Sequence, residues 1–138
     1  MLYRIQTFYL FLSIFISSIS LYVYSYQQKE IKNYFFLDKI FLIFLIITLI
    51  LSIVSLLFFK KKEIQIFCNC LNILINSATL IYILFFSYYY KYFLIKKNII
   101  ILILILSILR LLTILFLYLS NQKIKKDIEL IRSMNRIR

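Results

Sequence analysis

The stretch 41-FLIFLIITLILSIVSLLFF-59, Phe41 to Phe59, decides between two architectures. Ile and Phe favour sheets, and a strand that crosses a bilayer alternates lipid-facing and lumen-facing residues over roughly ten positions. Here both parities are apolar for nearly twice that length. A helix satisfies its own backbone groups inside lipid, and about 20 residues at ~1.5 Å each cover the roughly 30 Å hydrocarbon core. The stretch therefore predicts a membrane-crossing α-helix.

Three further runs of similar length flank it: Thr7 to Tyr26, Leu71 to Tyr90 and Ile99 to Leu119. Across 138 residues the chain is 64% hydrophobic, with mean hydropathy +0.95, against roughly 45–50% apolar in a soluble domain. The expected fold class is all-α, an integral membrane four-helix bundle forming one domain over 1–138. Its spans are read as about 7–26, 40–59, 64–90 and 98–120, followed by a cytoplasmic basic amphipathic helix over 121–138. The chain has no Gly, Pro, Trp or His and a single alanine, Ala78, as AT-rich coding would write. Segment ends are consequently read from charge, with Asn98 as a helix cap ahead of the run from Ile99.

With four spans both ends of the chain share a side. Ten basic residues fall there (Arg4, Lys60, Lys61, Lys62, Lys123, Lys125, Lys126, Arg132, Arg136, Arg138) against six opposite (Lys29, Lys32, Lys39, Lys91, Lys96, Lys97). The positive-inside rule then places both termini in the cytoplasm. Tyr22, Tyr24, Tyr26, Tyr34, Tyr88, Tyr89, Tyr90 and Tyr92 are expected at the outer interface, and Tyr3, Tyr9 and Tyr118 at the inner one. Arg4 before the first apolar run resembles a signal-peptide start, but the run is too long and lacks a small-residue cleavage site, so it reads as an uncleaved first span. The formal net charge of +12 points to topology and anionic lipid rather than nucleic acid.

Arg110 is the costliest residue. It lies about 20 Å from Lys97 and about 16 Å from Asn121 along a helix, too deep to snorkel fully. A central Arg costs about 2.5–3.5 kcal/mol on insertion, and its guanidinium, always protonated, requires acceptors. No Asp or Glu lies within the predicted apolar runs. Gln65, Asn69, Asn72, Asn76 and Thr79 follow one another at steps of four, three, four and three, a single seam on the third helix. Counting along antiparallel helices puts Asn76 level with Arg110, so an intramembrane polar clasp of Arg110, Asn76, Asn72 and Ser107 is expected. Such a seam serves either as packing glue or as a path for a solute or ion.

Ser13, Ser17 and Ser20, like Thr48, Ser52 and Ser55, sit at i, i+4 and i+7, and small residues let helices approach closely in lipid. Cys68 and Cys70 read as ordinary buried thiols on the reducing side; no metal site is expected where no His or third Cys exists. In the tail Ile124, Ile128, Ile131 and Met134 share one face among Lys and Arg, suited to the inner leaflet or a partner, and the plainer reading is a solvated, lipid-touching extension of the fourth helix. Lys125 with Glu129, and Glu129 with Arg132, are spaced for weak surface pairs.

Three stretches, YRIQTFYLFLS (3–13), KKKEIQIFCNCLNILIN (60–76) and KDIELIRSMNRIR (126–138), resemble a bacterial membrane family catalogued as domain of unknown function 4293. The resemblance implies four membrane helices and no activity. It concentrates the recognisable residues on the cytoplasmic side: Arg4, Gln6, Gln65, Cys68, Asn72, Asp127, Glu129, Arg132, Arg136 and Arg138. Arg4, Gln6, Gln65, Asp127, Glu129, Arg132, Arg136 and Arg138 are the candidate contact face, with Asp127 and Glu129 knitting Arg4 and Arg132 together.

Catalysis is not expected: there is no His, no carboxylate within a span, no phosphate loop and no nucleophile beside a base. No cofactor is expected either. The expected partners are the lipid bilayer, anionic lipids, and a membrane protein or a second copy of the chain. A structural or accessory role leads. A channel or transporter subunit using the third-helix seam and Arg110 is the alternative.

Overall fold

In the computed structural model the described residues are 2–27, 35–89 and 97–137, with side chains over 5–26, 39–85, 87 and 100–137. They form four helices and, among themselves, no strand: α1 (Leu2–Gln27), α2 (Phe35–Leu57), α3 (Lys62–Tyr89) and α4 (Lys97–Arg136). Each is long and apolar enough to cross a membrane. Helix α1 packs against α2 and α4, and α3 against the same two, a square in which α1 faces α3, and α2 faces α4, across the bundle axis.

Several boundaries differ from the sequence reading. Helix α2 ends at Leu57, and a tight turn begins with Phe58 N–H on Val54 O (3.1 Å) and Lys61 N–H on Phe58 O (3.0 Å). Apolar Phe58 and Phe59 thus belong to the turn. Helix α4 starts at Lys97, which puts Asn98 inside its first turn rather than at a cap. The tail, by contrast, extends the fourth helix as its pattern is read. Residues 121–136 continue α4 unbroken to a length of 40 residues, about 60 Å, because nothing between Ser120 and Ile124 interrupts helical hydrogen bonding.

The packing is inverted relative to a water-soluble bundle. Among the described residues sixteen polar or charged ones are buried against eleven hydrophobic ones, while Phe8, Phe11, Phe15, Ile50, Leu74, Ile81, Phe85, Ile108 and Leu111 point outward, each more than half exposed. So large a contiguous apolar surface marks a lipid-facing or partner-facing exterior. Polar stripes that sequence spacing placed on α1, α2 and α3 all face the axis.

The axis has two unlike halves. Toward the α1–α2 and α3–α4 connections, Tyr24, Phe41, Leu45, Ile83, Leu102 and Leu106 form an apolar plug, with Tyr24 tilted on Phe41 at 4.9 Å between ring centroids. Tyr24 is therefore a core residue, unlike its neighbours. Two positions along a helix turn a side chain to the opposite face, so Tyr22 and Tyr26 stack outside at 6.4 Å while Tyr24 points in. Tyr34, Tyr90 and Tyr92, and the side chains of Tyr3, Tyr88 and Tyr89, lie outside the described residues. From Arg110 toward the end that holds the α2–α3 turn and the tail, here the terminal end, the axis is predominantly polar.

Candidate functional site: a polar core centred on Arg110

Arg110 is fully buried and touches every other helix. Its Nη1 donates to Asn76 Oδ1 on α3 at 2.6 Å and to Thr48 Oγ1 on α2 at 3.2 Å, and its Nη2 donates to Ser20 Oγ on α1 at 3.1 Å. The planar guanidinium fork suits this task, since its donors diverge toward separate acceptors. Its fixed charge is met by oxygen dipoles alone: no Asp or Glu is buried among the described residues.

The hydroxyl acceptors are available because each spends its proton on its own helix. Ser20 donates to Ser17 O at 2.7 Å and Thr48 to Leu45 O at 2.8 Å, a local bond open to Ser and Thr in helices. Their lone pairs then face Arg110. The proton is committed and the oxygen's acceptor role follows.

Asn76 ties the layer to the next. Its Nδ2 donates to Asn72 O (2.8 Å) and Asn72 Oδ1 (2.9 Å), Asn72 Nδ2 donates to Ser52 Oγ (2.7 Å), and Thr113 Oγ1, which donates to Arg110 O at 2.8 Å, lies 3.4 Å from Asn76 Oδ1. One turn further on, Ser55 donates to Asn69 Oδ1, Asn69 Nδ2 to Asn121 Oδ1 at 2.9 Å, and Asn121 Nδ2 to Cys70 Sγ at 3.6 Å. At the terminal end Gln6 Nε2 donates to Lys123 O at 3.2 Å, and Lys62 pairs with Asp127.

Ser107 does not join the clasp. It sits one turn before Arg110, partly exposed, and its hydroxyl donates to Leu104 O at 2.8 Å; by helical phase it lies on one side of Arg110 while the buried Leu106 and Thr113 lie on the other. Ser20, Thr48 and Thr113 take part instead. The stripes of Ser20 and Thr48 were legible as packing faces, yet hydroxyl groups at the depth of a buried Arg are also acceptors, and that signal would have found these two; Thr113 stood in no stripe.

The expected contact face is only partly assembled. Gln6 and Gln65 are buried inside the bundle, whereas Glu129, Arg132 and Arg136 are exposed on the free part of α4. Asp127 meets Lys62 of α3, and Gln6 ties α1 to α4 through the Lys123 carbonyl. The side chain of Arg4 and all of Arg138 lie outside the described residues. Cys68 is buried but Cys70 is exposed, two positions round the helix. Three groups in the core carry buried polar atoms without a hydrogen-bond partner among the described residues: the Gln65 amide, on both atoms, the Ser120 hydroxyl, and Nε of Arg110, whose two Nη atoms take all of its hydrogen bonds.

No curated protein and no solved structure matches the chain. A model of the family described as Domain of unknown function (DUF4293) matches residues 2–137, nearly the whole chain, and the chain belongs to that family.

Proposed function

We propose that the chain is a non-catalytic structural or accessory protein of a bacterial inner membrane, with both termini cytoplasmic and the basic terminal end as its contact face for a membrane-protein partner, a second copy or anionic lipid. The supporting observation is that Arg110, Asn76 and Asn72 close on one another and on Ser20, Thr48 and Ser52. Interhelical polar bonds of this kind hold membrane helices together at roughly 0.6–2 kcal/mol each. A photo-crosslinker at Met134 in living cells tests the role: one recurring partner supports it, and a tail that captures nothing above a Phe85 control counts against it.

The alternative is a channel or transporter subunit. It is favoured by Gln65 and Ser120, whose unpartnered polar atoms extend the core toward the terminal end. The two readings separate in proteoliposomes. A closed core leaves Ser17→Cys unreactive to a charged thiol reagent, whereas a wet path exposes it, and solute flux then falls with Asn72→Leu.

A further inference from the structure

Where the α2–α3 turn meets the free part of α4, the surface folds into an open groove of about 510 Å³. Lys60, Lys61 and Arg132 stand on its rim, and Ile64, Ile128 and Ile131 supply its apolar lining. Glu63 contributes one negative charge there, and Lys62, also in the lining, is taken up by Asp127. Three cations against one free carboxylate leave the groove positive.

We infer that this groove binds the headgroup of an anionic phospholipid, its phosphate held by Lys61 and Arg132 and its acyl chains running along the apolar wall beside Ile64. The inference deepens the reading of the terminal end as a contact face, and rests on it.

Depth supports this occupant. With the Arg110–Asn76 layer taken as the midplane, Lys61 stands 15 residues from Asn76, about 22 Å along the axis. Half the thickness of a bilayer with its headgroups is about 20–22 Å. The groove opens at phosphate level. Arg132 stands 22 residues from Arg110, about 33 Å along α4 and outside the headgroup layer, and reaches back to line the same groove as Lys61, since helical side chains lean toward the N-terminus of their helix, which for α4 is toward the membrane.

The neighbouring surface distinguishes a lipid from an acidic protein segment. Leu57, Phe58 and Phe59 are exposed directly beside the cationic rim, and Phe67 is exposed one turn beyond Ile64. A cationic pocket continuous with an exposed apolar wall matches a molecule that is anionic at one end and apolar at the other. An acidic peptide has no use for the wall. Neither Lys61 nor Arg132 forms an ion pair with another described residue, so both charges face the groove unneutralised.

The test uses the full chain in neutral detergent, with phosphatidylglycerol, phosphatidylcholine or inorganic phosphate added, and reads bound lipid by native mass spectrometry. The paired variants are Lys61→Gln/Arg132→Gln in the groove and Lys125→Gln/Lys126→Gln outside it; both lower the net charge equally, and circular dichroism checks that each folds. The wild type should prefer phosphatidylglycerol to phosphatidylcholine. At about fivefold per basic residue, the groove variant should lose roughly thirtyfold in phosphatidylglycerol affinity and the control variant much less. Equal losses in both variants would overturn the groove while leaving a diffuse basic face intact. Inorganic phosphate competing as well as the lipid would overturn it in favour of a free-anion site, and a groove variant that keeps lipid but loses the Met134 cross-link would assign the groove to a protein partner. A wild type without lipid preference would overturn it too; whether the wider contact-face reading also falls is then read from that cross-link alone.

Discussion

Asn76 Oδ1 accepts from Arg110 Nη1 at 2.6 Å, and the same amide donates from Nδ2 to the Asn72 side chain at 2.9 Å. One Asn thereby joins the charged centre on α4 to the polar seam of α3. Because the amide has one accepting and one donating end, its orientation is set by the guanidinium, and that in turn aligns Asn72 for Ser52. The buried charge thus orders the network along the axis.

Replacing Arg110 by Lys keeps the charge but not the fork. An ammonium on a flexible stem cannot hold Ser20, Thr48 and Asn76 in their divergent directions, so Arg110→Lys should destabilise the bundle by about 2–3 kcal/mol. Thermal unfolding in detergent checks this; a Lys variant as stable as the wild type would show that charge, and not geometry, is what the site uses.

Thr48→Val preserves shape and removes one acceptor, leaving a guanidinium N–H without its partner in the buried core. The expected loss is about 1–2 kcal/mol. Ser18→Ala, at an exposed site whose hydroxyl bonds only to Phe15 O, should change stability by less than about 0.5 kcal/mol. Comparable losses in the two variants would mean that Thr48 contributes by helix packing alone.

Lys62 and Asp127 join α3 to α4 at the terminal end, with about an eighth of each side chain exposed. Lys62→Ala or Asp127→Ala should cost about 1–2 kcal/mol, less in high salt. The exchanged pair Lys62→Asp/Asp127→Lys should recover most of it. Failure of the exchange, with both single variants weak, would leave the pair no role in holding the tail.

Reporter fusions after Gln28, Lys61, Tyr92 and Arg138 should alternate outside, inside, outside, inside, as four crossings with cytoplasmic termini require. Equal reporter activity on both sides of any one helix would remove that helix from the membrane.

Much of this arrangement was readable beforehand, and the limits are physical. The level of Asn76 with Arg110 follows from counting residues back from a short connection between antiparallel helices. Ser20 and Thr48 escape such counting. Thr48 lies diagonally across the square from Arg110, and only the square itself, with α4 touching α1 and α3, lets one side chain reach both α1 and α2. Tyr24 shows the same limit in reverse. Interfacial statistics give Tyr22, Tyr24 and Tyr26 one depth and no direction, while helical phase turns Tyr24 alone onto Phe41. The tail was legible both as amphipathic and as an extension of the fourth helix, since no Gly or Pro follows Ser120 to stop it.

The most direct measurement is a double-mutant cycle on Arg110→Leu and Asn76→Leu, read as thermal stability of the reconstituted protein. A shared bond in a closed core predicts strong non-additivity: once either partner is gone, removing the other costs little more, and the coupling should reach about 1–2 kcal/mol. Strictly additive losses would contradict the account, because Arg110 would then find its acceptors elsewhere and the bundle would not be organised around it.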